Sequence, residues 1–189
     1  MDELKKRILK DGRVLSEHVL KVDSFLNHQI DADLMDRIGN AFFDHFHDYG
    51  ITKVLTIEAS GIAVAFSTAR CFHVPVVFAR KTPSLTSADE TYCAEVFSFT
   101  KKVQFSITVN RRFLAPEDRV LLVDDFLARG QALFGLINIV HQSGAAVAGA
   151  GIAIEKAFQN GGRLVREVGI EVYSLARIAS LIDGKVLFL

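Results

Sequence analysis

Tryptophan is absent from the 189 residues, cysteine and methionine occur twice each, and proline three times. Two thiols, Cys71 and Cys93, cannot build the framework of a disulfide-stapled secreted scaffold, so a reducing, cytoplasmic setting is expected. There is no Pro-rich tract, low-complexity segment or internal repeat, so one domain over 1–189 is expected. Neither sign of charge is in excess: Lys and Arg number 22, Asp and Glu 22. That balance argues against nucleic acid or an anionic membrane surface as the main partner. No apolar run approaches the roughly 20 residues of a membrane span. "AAVAGAGIAI" stops at Glu155, and "MDELKKRILKDGR" lacks the apolar stretch of a secretory signal.

What is present is ordinary globular material, 50% hydrophobic and 23% charged, enough for a sizeable core. From Thr52 a rhythm repeats: β-branched run, turn, amphipathic segment, β-branched run. This is the pattern of βαβ units around a parallel sheet. Strands are predicted over Lys53–Glu58, Val74–Arg80, Arg119–Asp125 and Ala146–Lys156, with a fifth over Ile170–Ile178. Helical spacing follows the first at Ile62, Ala65, Phe66 and Ala69. A second helix starts near Gln131 and ends at Gly144. The first fifty or so residues read as mainly helical, with Asp31 as N-cap and Leu34, Ile38, Ala41, Phe42 and His45 on one stripe. Residues 81–116 read as a long loop plus a hairpin projecting from the sheet. The expected architecture is an α/β core over 51–189 with a mostly helical cap from 1–50.

Chemistry concentrates in "VLLVDDFLARGQA", Val120–Ala132. Four large apolar residues suit a strand buried on both faces, and Asp124 and Asp125 close it at the carboxyl edge, where open α/β sheets bind ligands. Neighbours on a strand point to opposite faces, so the acids should divide two tasks: one reaching into the crevice, the other holding backbone or side chains. A short loop then feeds a helix whose first N–H groups form an anion site. Carboxylates that seek hydroxyls beside a loop that seeks phosphate describe a receptor for a phosphorylated sugar. "IEASGIA", Ile57–Ala63, repeats the strand-to-helix turn with a hydroxyl and a glycine, and "FARK" ends its strand in two cations. Asp44, His45, His47 and Asp48 do not converge on one helix face, so no protein-built metal site is expected.

"VLLVDDFLARGQA" resembles the phosphoribosyl-diphosphate motif of the type I phosphoribosyltransferases. The resemblance implies that family's parallel sheet with a small cap, and places Asp124 and Asp125 by the ribose hydroxyls. It implies that Ala128, Arg129, Gly130, Gln131 and Ala132 wrap the 5-phosphate, that Ala59, Ser60 and Gly61 surround the leaving diphosphate, and that Arg80 or Lys81 faces the same diphosphate. Arg129 departs from the small polar residue usual in that loop; its charge either strengthens phosphate binding or points outward. Mg²⁺, bound mainly through the sugar diphosphate (PRPP), is the implied cofactor.

Over nearly the whole chain, "VLKVDSFLNHQID", "VPVVFARK", "SFTKK", "AIEKAFQNG" and "SLARIASL" resemble the bacterial, xanthine-using branch of that family. That implies transfer of phosphoribosyl to xanthine in purine salvage, giving XMP and diphosphate, with Leu20 and Asn27 contacting xanthine from a cap over the base and Lys156 following the fourth core strand. Lys156 also makes chemical sense alone: an ammonium suits xanthine's exocyclic oxygens and not adenine's amine. Phe158, on the same side if the chain stays extended, suits either stacking on the purine or core packing. A guanine or hypoxanthine enzyme, or a non-catalytic purine regulator, is the alternative. A homodimer is implied, compatible with the 15 phenylalanines, and the segment after Lys81 is expected to close over the site.

Overall fold

The computed structural model describes residues 1–81, 90–98 and 103–189. α1 (Asp2–Asp11) leads into β1 (Arg13–Ser16) and β2 (Val19–Lys21), a π-type turn over Asp23–Asn27, and α2 (Ala32–Phe46). There follow β3 (Lys53–Ile57), α3 (Gly61–Phe72), β4 (Val76–Ala79), β5 (Thr91–Ser98) and β6 (Val103–Asn110). β7 (Arg119–Leu127), α4 (Gln131–Ser143), β8 (Ala146–Lys156), α5 (Gly161–Glu167), β9 (Val172–Ile182) and β10 (Lys185–Phe188) complete the chain.

One sheet of six strands runs β10-β9-β8-β7-β3-β4. Every pairing in it is parallel except β10 with β9. β7 lies inside the sheet because its apolar run can be covered on both sides. Leu121 and Val123 pack with α1, α2 and α3, while Val120 and Leu122 pack with α4. The parallel order brings the carboxyl ends of β3, β7 and β8 to one rim, where the acid pair lies.

Three sequence expectations change in the folded chain. Residues 1–50 were expected to form the cap, but α2 covers a face of the sheet: Leu34, Ile38, Phe42 and Phe46 are buried in its core. Phe42 sits so close to β8 that a Cβ on Gly151 would stand 2.9 Å from its ring. An amphipathic stripe shows that a helix is covered without showing by what, and here the cover is the sheet. The part of 1–50 that reaches the carboxyl rim, as a cap would, is the β1–β2 hairpin with the turn through Asn27, bonded to Lys156 and Asp125. On α3 the buried positions are Gly61, Val64, Ala65, Ser67, Thr68 and Ala69, while Phe66 is 58% exposed. α3 is apolar over most of its surface, and only small residues fit where its Ser67 carbonyl meets Gly39 of α2.

The hairpin β5–β6 forms with an unbroken antiparallel register from Thr91↔Asn110 to Ser98↔Val103. It does not project clear of the sheet. Ala94, Val96, Ile107 and Val109 turn one face onto the α4 side of the core. Arg80 and Thr108 exchange main-chain hydrogen bonds of 2.9 Å each, tying the hairpin to the end of β4. The expected closing segment after Lys81 (82–89) and all of "SFTKK" but its first residue (99–102) lie outside the described residues. Among the described residues no helix is long and apolar enough to cross a membrane.

Phe42→Ala separates core from cap. The substitution is expected to lower global stability by about 3–5 kcal/mol in denaturant titration, as for a large buried ring. A loss below about 1 kcal/mol would return α2 to the cap.

Candidate active site

The rim is organised around two buried carboxyl groups. Asp125 accepts hydrogen bonds from Ser60 Oγ (3.0 Å) and from Asn27 Nδ2 (3.1 Å). Asp124 accepts the main-chain N–H of Asp125 at 3.0 Å. The expected division of labour is visible: Asp124 lines the cavity described below, while Asp125 is turned to the cap and to the turn before α3. Burial, then the charge of Asp125 beside it, pushes the Asp124 carboxyl well above the usual carboxylate range; the Asp125 N–H and Lys81 oppose the shift.

Ser60 precedes α3, yet its hydroxyl makes no cap bond and is committed to Asp125. Gly61 is required because the turn closes directly on the acid. A Cβ there would stand 2.2 Å from Thr56 Oγ1 and 2.7 Å from Asp124 Oδ1. Glu58, which sequence reading left unassigned, accepts the Lys81 N–H at 2.6 Å and joins this turn to the end of β4. The Glu58–Ala59 peptide is cis.

After β7 the chain bends through Ala128 and Arg129 to Gly130, whose φ of 81° is the left-handed conformation that starts α4. Gly161, at the first position of α5, buttresses this bend. Its N–H donates to the Ala128 carbonyl at 3.0 Å, and a Cβ on it would lie 2.4 Å from that oxygen. α5 is in turn held by Glu155, a carboxylate only 2% exposed. Arg166 donates to both its oxygens at 2.9 Å and Ser174 donates at 2.6 Å. Burial works against that charge, but these hydrogen bonds outweigh it and hold the Glu155 carboxyl below its usual value.

A cavity of about 720 Å³ collects these features. Asp124, Lys81, residues 128–132 and Lys156 all line it, joined by Gln159 and by Ser16, His18 and Val19 of the cap hairpin. Lys156 Nζ donates to the His18 carbonyl at 2.7 Å and lies 5.2 Å over the Phe126 ring. Burial lowers the Lys156 pKa, while the charge of Asp125 raises it. A second cavity of about 820 Å³ opens beside α2 and α3, but its cation Arg70 is already paired with Asp36 at 3.0 Å and it holds no acid pair or loop of this kind.

Not every expected residue reaches the cavity. Ala59, Ser60 and Gly61 stand behind the acids, and Asn27 arrives through Asp125. The Leu20 side chain is buried in the core, and Leu20 does not line the cavity. The Arg80 side chain is exposed while its main chain bridges β6; of the two strand-end cations, Lys81 is the one that lines the cavity. Phe158 is half-buried and faces the His18 ring. Gln159 and Gly161 lay inside or beside the matched segment "AIEKAFQNG" without being singled out, whereas nothing local marks His18, which meets Lys156 across 138 residues of chain.

No family model matches the chain. Its fold is that of solved adenine phosphoribosyltransferases. The enzyme of Trypanosoma brucei, solved with AMP, pyrophosphate and ribose-5-phosphate, superposes with a TM-score of 0.77 at 20% identity, covering 92% of this chain and 79% of that one. That of Rhodothermus marinus gives 0.73 at 22% identity, covering 94% and 99%. Sheet order and strand pairing give the fold of the type I phosphoribosyltransferases, and the curated relatives over the full chain show the class, a pentosyltransferase. Among curated relatives, the xanthine phosphoribosyltransferase of Streptococcus gordonii is 53% identical over 188 residues, 100% of this chain and 97% of its own. That of Geobacillus thermodenitrificans is 55% identical over 188 residues, 100% and 97%. The chain belongs to the xanthine phosphoribosyltransferase family.

Enzymes of this class generally use Mg²⁺ with the sugar diphosphate. Two oxygen-bearing acids suit a hard cation, but among the described residues no group of three or more His, Cys, Asp or Glu could hold it alone.

Asp124→Asn tests the electrostatic reading. A carboxyl whose folded pKa is raised loses stability as pH climbs above the unfolded value, whereas an amide does not titrate. The variant is expected to melt higher than the parent, by about 2–4 °C per kcal/mol relieved, with a gap that widens from acid to neutral pH. A gap that narrows with rising pH would show that Asp124 is stabilised as an anion.

Proposed function

We propose that the chain transfers the 5-phosphoribosyl group of 5-phospho-α-D-ribose 1-diphosphate to a ring nitrogen of xanthine, releasing diphosphate and forming XMP. The observation that carries this reading is the convergence of Asp124, the 128–132 loop, Lys81 and Lys156 on one cavity at the carboxyl rim. The 5-phosphate is read at Ala128, Arg129, Gly130, Gln131 and Ala132, where α4 begins and its first N–H groups have no partner within the helix. Asp124 and Asp125 take the ribose hydroxyls, with Asp125 exchanging its Ser60 and Asn27 bonds for them. The diphosphate lies toward Ala59, Ser60, Gly61 and Lys81, with Arg80 behind.

The C1–O bond breaks early, its electrons leave with the diphosphate, and the base nitrogen bonds to C1 with loss of its proton. The protein's contribution is to orient the two substrates and stabilise the departing charge. Mg²⁺, when bound with the sugar diphosphate, supplies further neutralisation of the leaving group. Lys156 donates to an exocyclic oxygen of the base, Asn27 and the Leu20 backbone complete its rim, and Phe158 lies behind His18. A cytoplasmic homodimer is part of the same reading, supported by exposed Phe66 and Phe78 (58% and 43%).

With the sugar diphosphate and Mg²⁺, purified protein is expected to form XMP from xanthine with kcat/KM at least about tenfold above hypoxanthine, the worth of one hydrogen bond. Asp125→Asn should abolish turnover while leaving the fold intact by circular dichroism. Absence of diphosphate release with every oxopurine would overturn the proposal. Separately, Gly161→Ala should raise KM for the sugar diphosphate and leave KM for the base unchanged, since its Cβ displaces only the 128–130 bend; an unchanged KM would remove that bend from phosphate binding.

A further inference from the structure

Lys156, an expected base contact, has its geometry set by a residue 138 positions away in sequence. An ammonium carries three N–H donors on a stem with four rotatable bonds, and such a side chain loses rotamer freedom when fixed. Here one donor is fixed by the main-chain carbonyl of His18 at 2.7 Å. The Phe126 ring lies under the same nitrogen at 5.2 Å. With one donor held and one flank covered, the remaining donors are directed into the cavity that His18, Phe126 and Lys156 all line.

The carbonyl that holds Lys156 sits in the Glu17–His18 turn between β1 and β2, a short hairpin otherwise exposed at its tip. Two contacts keep this hairpin in place. At its base Leu20 is buried in the core. At its tip the His18 imidazole faces the Phe158 ring, centroids 6.3 Å apart and planes 20° from parallel. Phe158 follows Lys156 by two residues, so ring and carbonyl of one cap residue grip the same stretch of chain.

We propose that His18 is a positioning residue for Lys156: its ring, stacked on Phe158, pins the cap turn so that its carbonyl aims the ammonium at the exocyclic oxygen of the base. The inference rests on Lys156 reading the base, as set out under the proposed function. No proton transfer is asked of the imidazole, so any flat ring at this position serves. The carbonyl itself survives every substitution, and what a variant removes is the pin.

The test compares KM for xanthine and for the sugar diphosphate across His18→Ala, His18→Phe, Lys156→Met and the His18→Ala/Lys156→Met double variant. His18 is exposed, so its replacement does not threaten the core. His18→Ala is expected to raise KM for xanthine about two- to tenfold, the worth of one ring contact, with KM for the sugar diphosphate unchanged. His18→Phe should restore the parent value, and His18→Ala should add nothing once Lys156 is methionine. If Lys156→Met leaves KM for xanthine unchanged, the base-reading role of that lysine falls, and this inference with it. If Lys156→Met raises it but His18→Ala does not, or adds the same factor in both backgrounds, positioning by His18 is overturned while the role of Lys156 stands.

Discussion

Taking two neighbouring carboxyl groups out of water is the constraint around which this fold is arranged. Asp124 and Asp125 are both buried, and a buried charge is costly unless donors surround it. The structure answers with polar groups drawn from distant parts of the chain: Asn27 from the cap, Ser60 from the turn before α3, and the main chain of β7 itself. These donors satisfy Asp125 more fully than Asp124, whose carboxyl carries the raised pKa. The carboxyl that faces the cavity is thus the less compensated of the two.

A second chain of support runs beneath the 128–132 loop. The bend at residues 128–130 is tight because Gly130 takes a positive φ and Gly161 lets α5 approach it to within backbone contact. α5 has only seven residues, too few to hold its own position by helix formation. Its anchor is the Glu155 pair with Arg166, reinforced by Ser174 and by Arg177 at 3.2 Å. Glu155 and Lys156 are adjacent on β8 and serve different sides: one fixes the loop, the other enters the cavity.

Much of this was legible in sequence where the signal is local. The β7–α4 segment announces itself through an unbroken apolar run, an acid pair and a glycine, and α4 spans Gln131–Ser143 with Gly144 closing it, as its periodicity predicts. β8 occupies the predicted Ala146–Lys156. β10 was not foreseen, although Asp183–Gly184, both at positive φ, is a hairpin turn signal. The placement of α2 was illegible for a different reason, since its stripe of apolar residues would look the same against a cap or a sheet. Contacts such as Lys156 with His18, or Asp125 with Asn27 across 98 residues, have no local signature, because fold closure alone creates them.

The adjacency of the two aspartates has a geometric consequence. Successive residues on a strand address opposite sides, so a single strand end can serve the cavity through Asp124 and the cap through Asp125 without any intervening loop. The arrangement also fixes the polarity of Asn27. A carboxylate only accepts, so the amide must present its nitrogen to Asp125, which leaves its carbonyl oxygen as the end available elsewhere. While that bond holds, the amide presents its acceptor to the rim and Lys156 its donors. One strand end thereby orders groups from both the cap and the core.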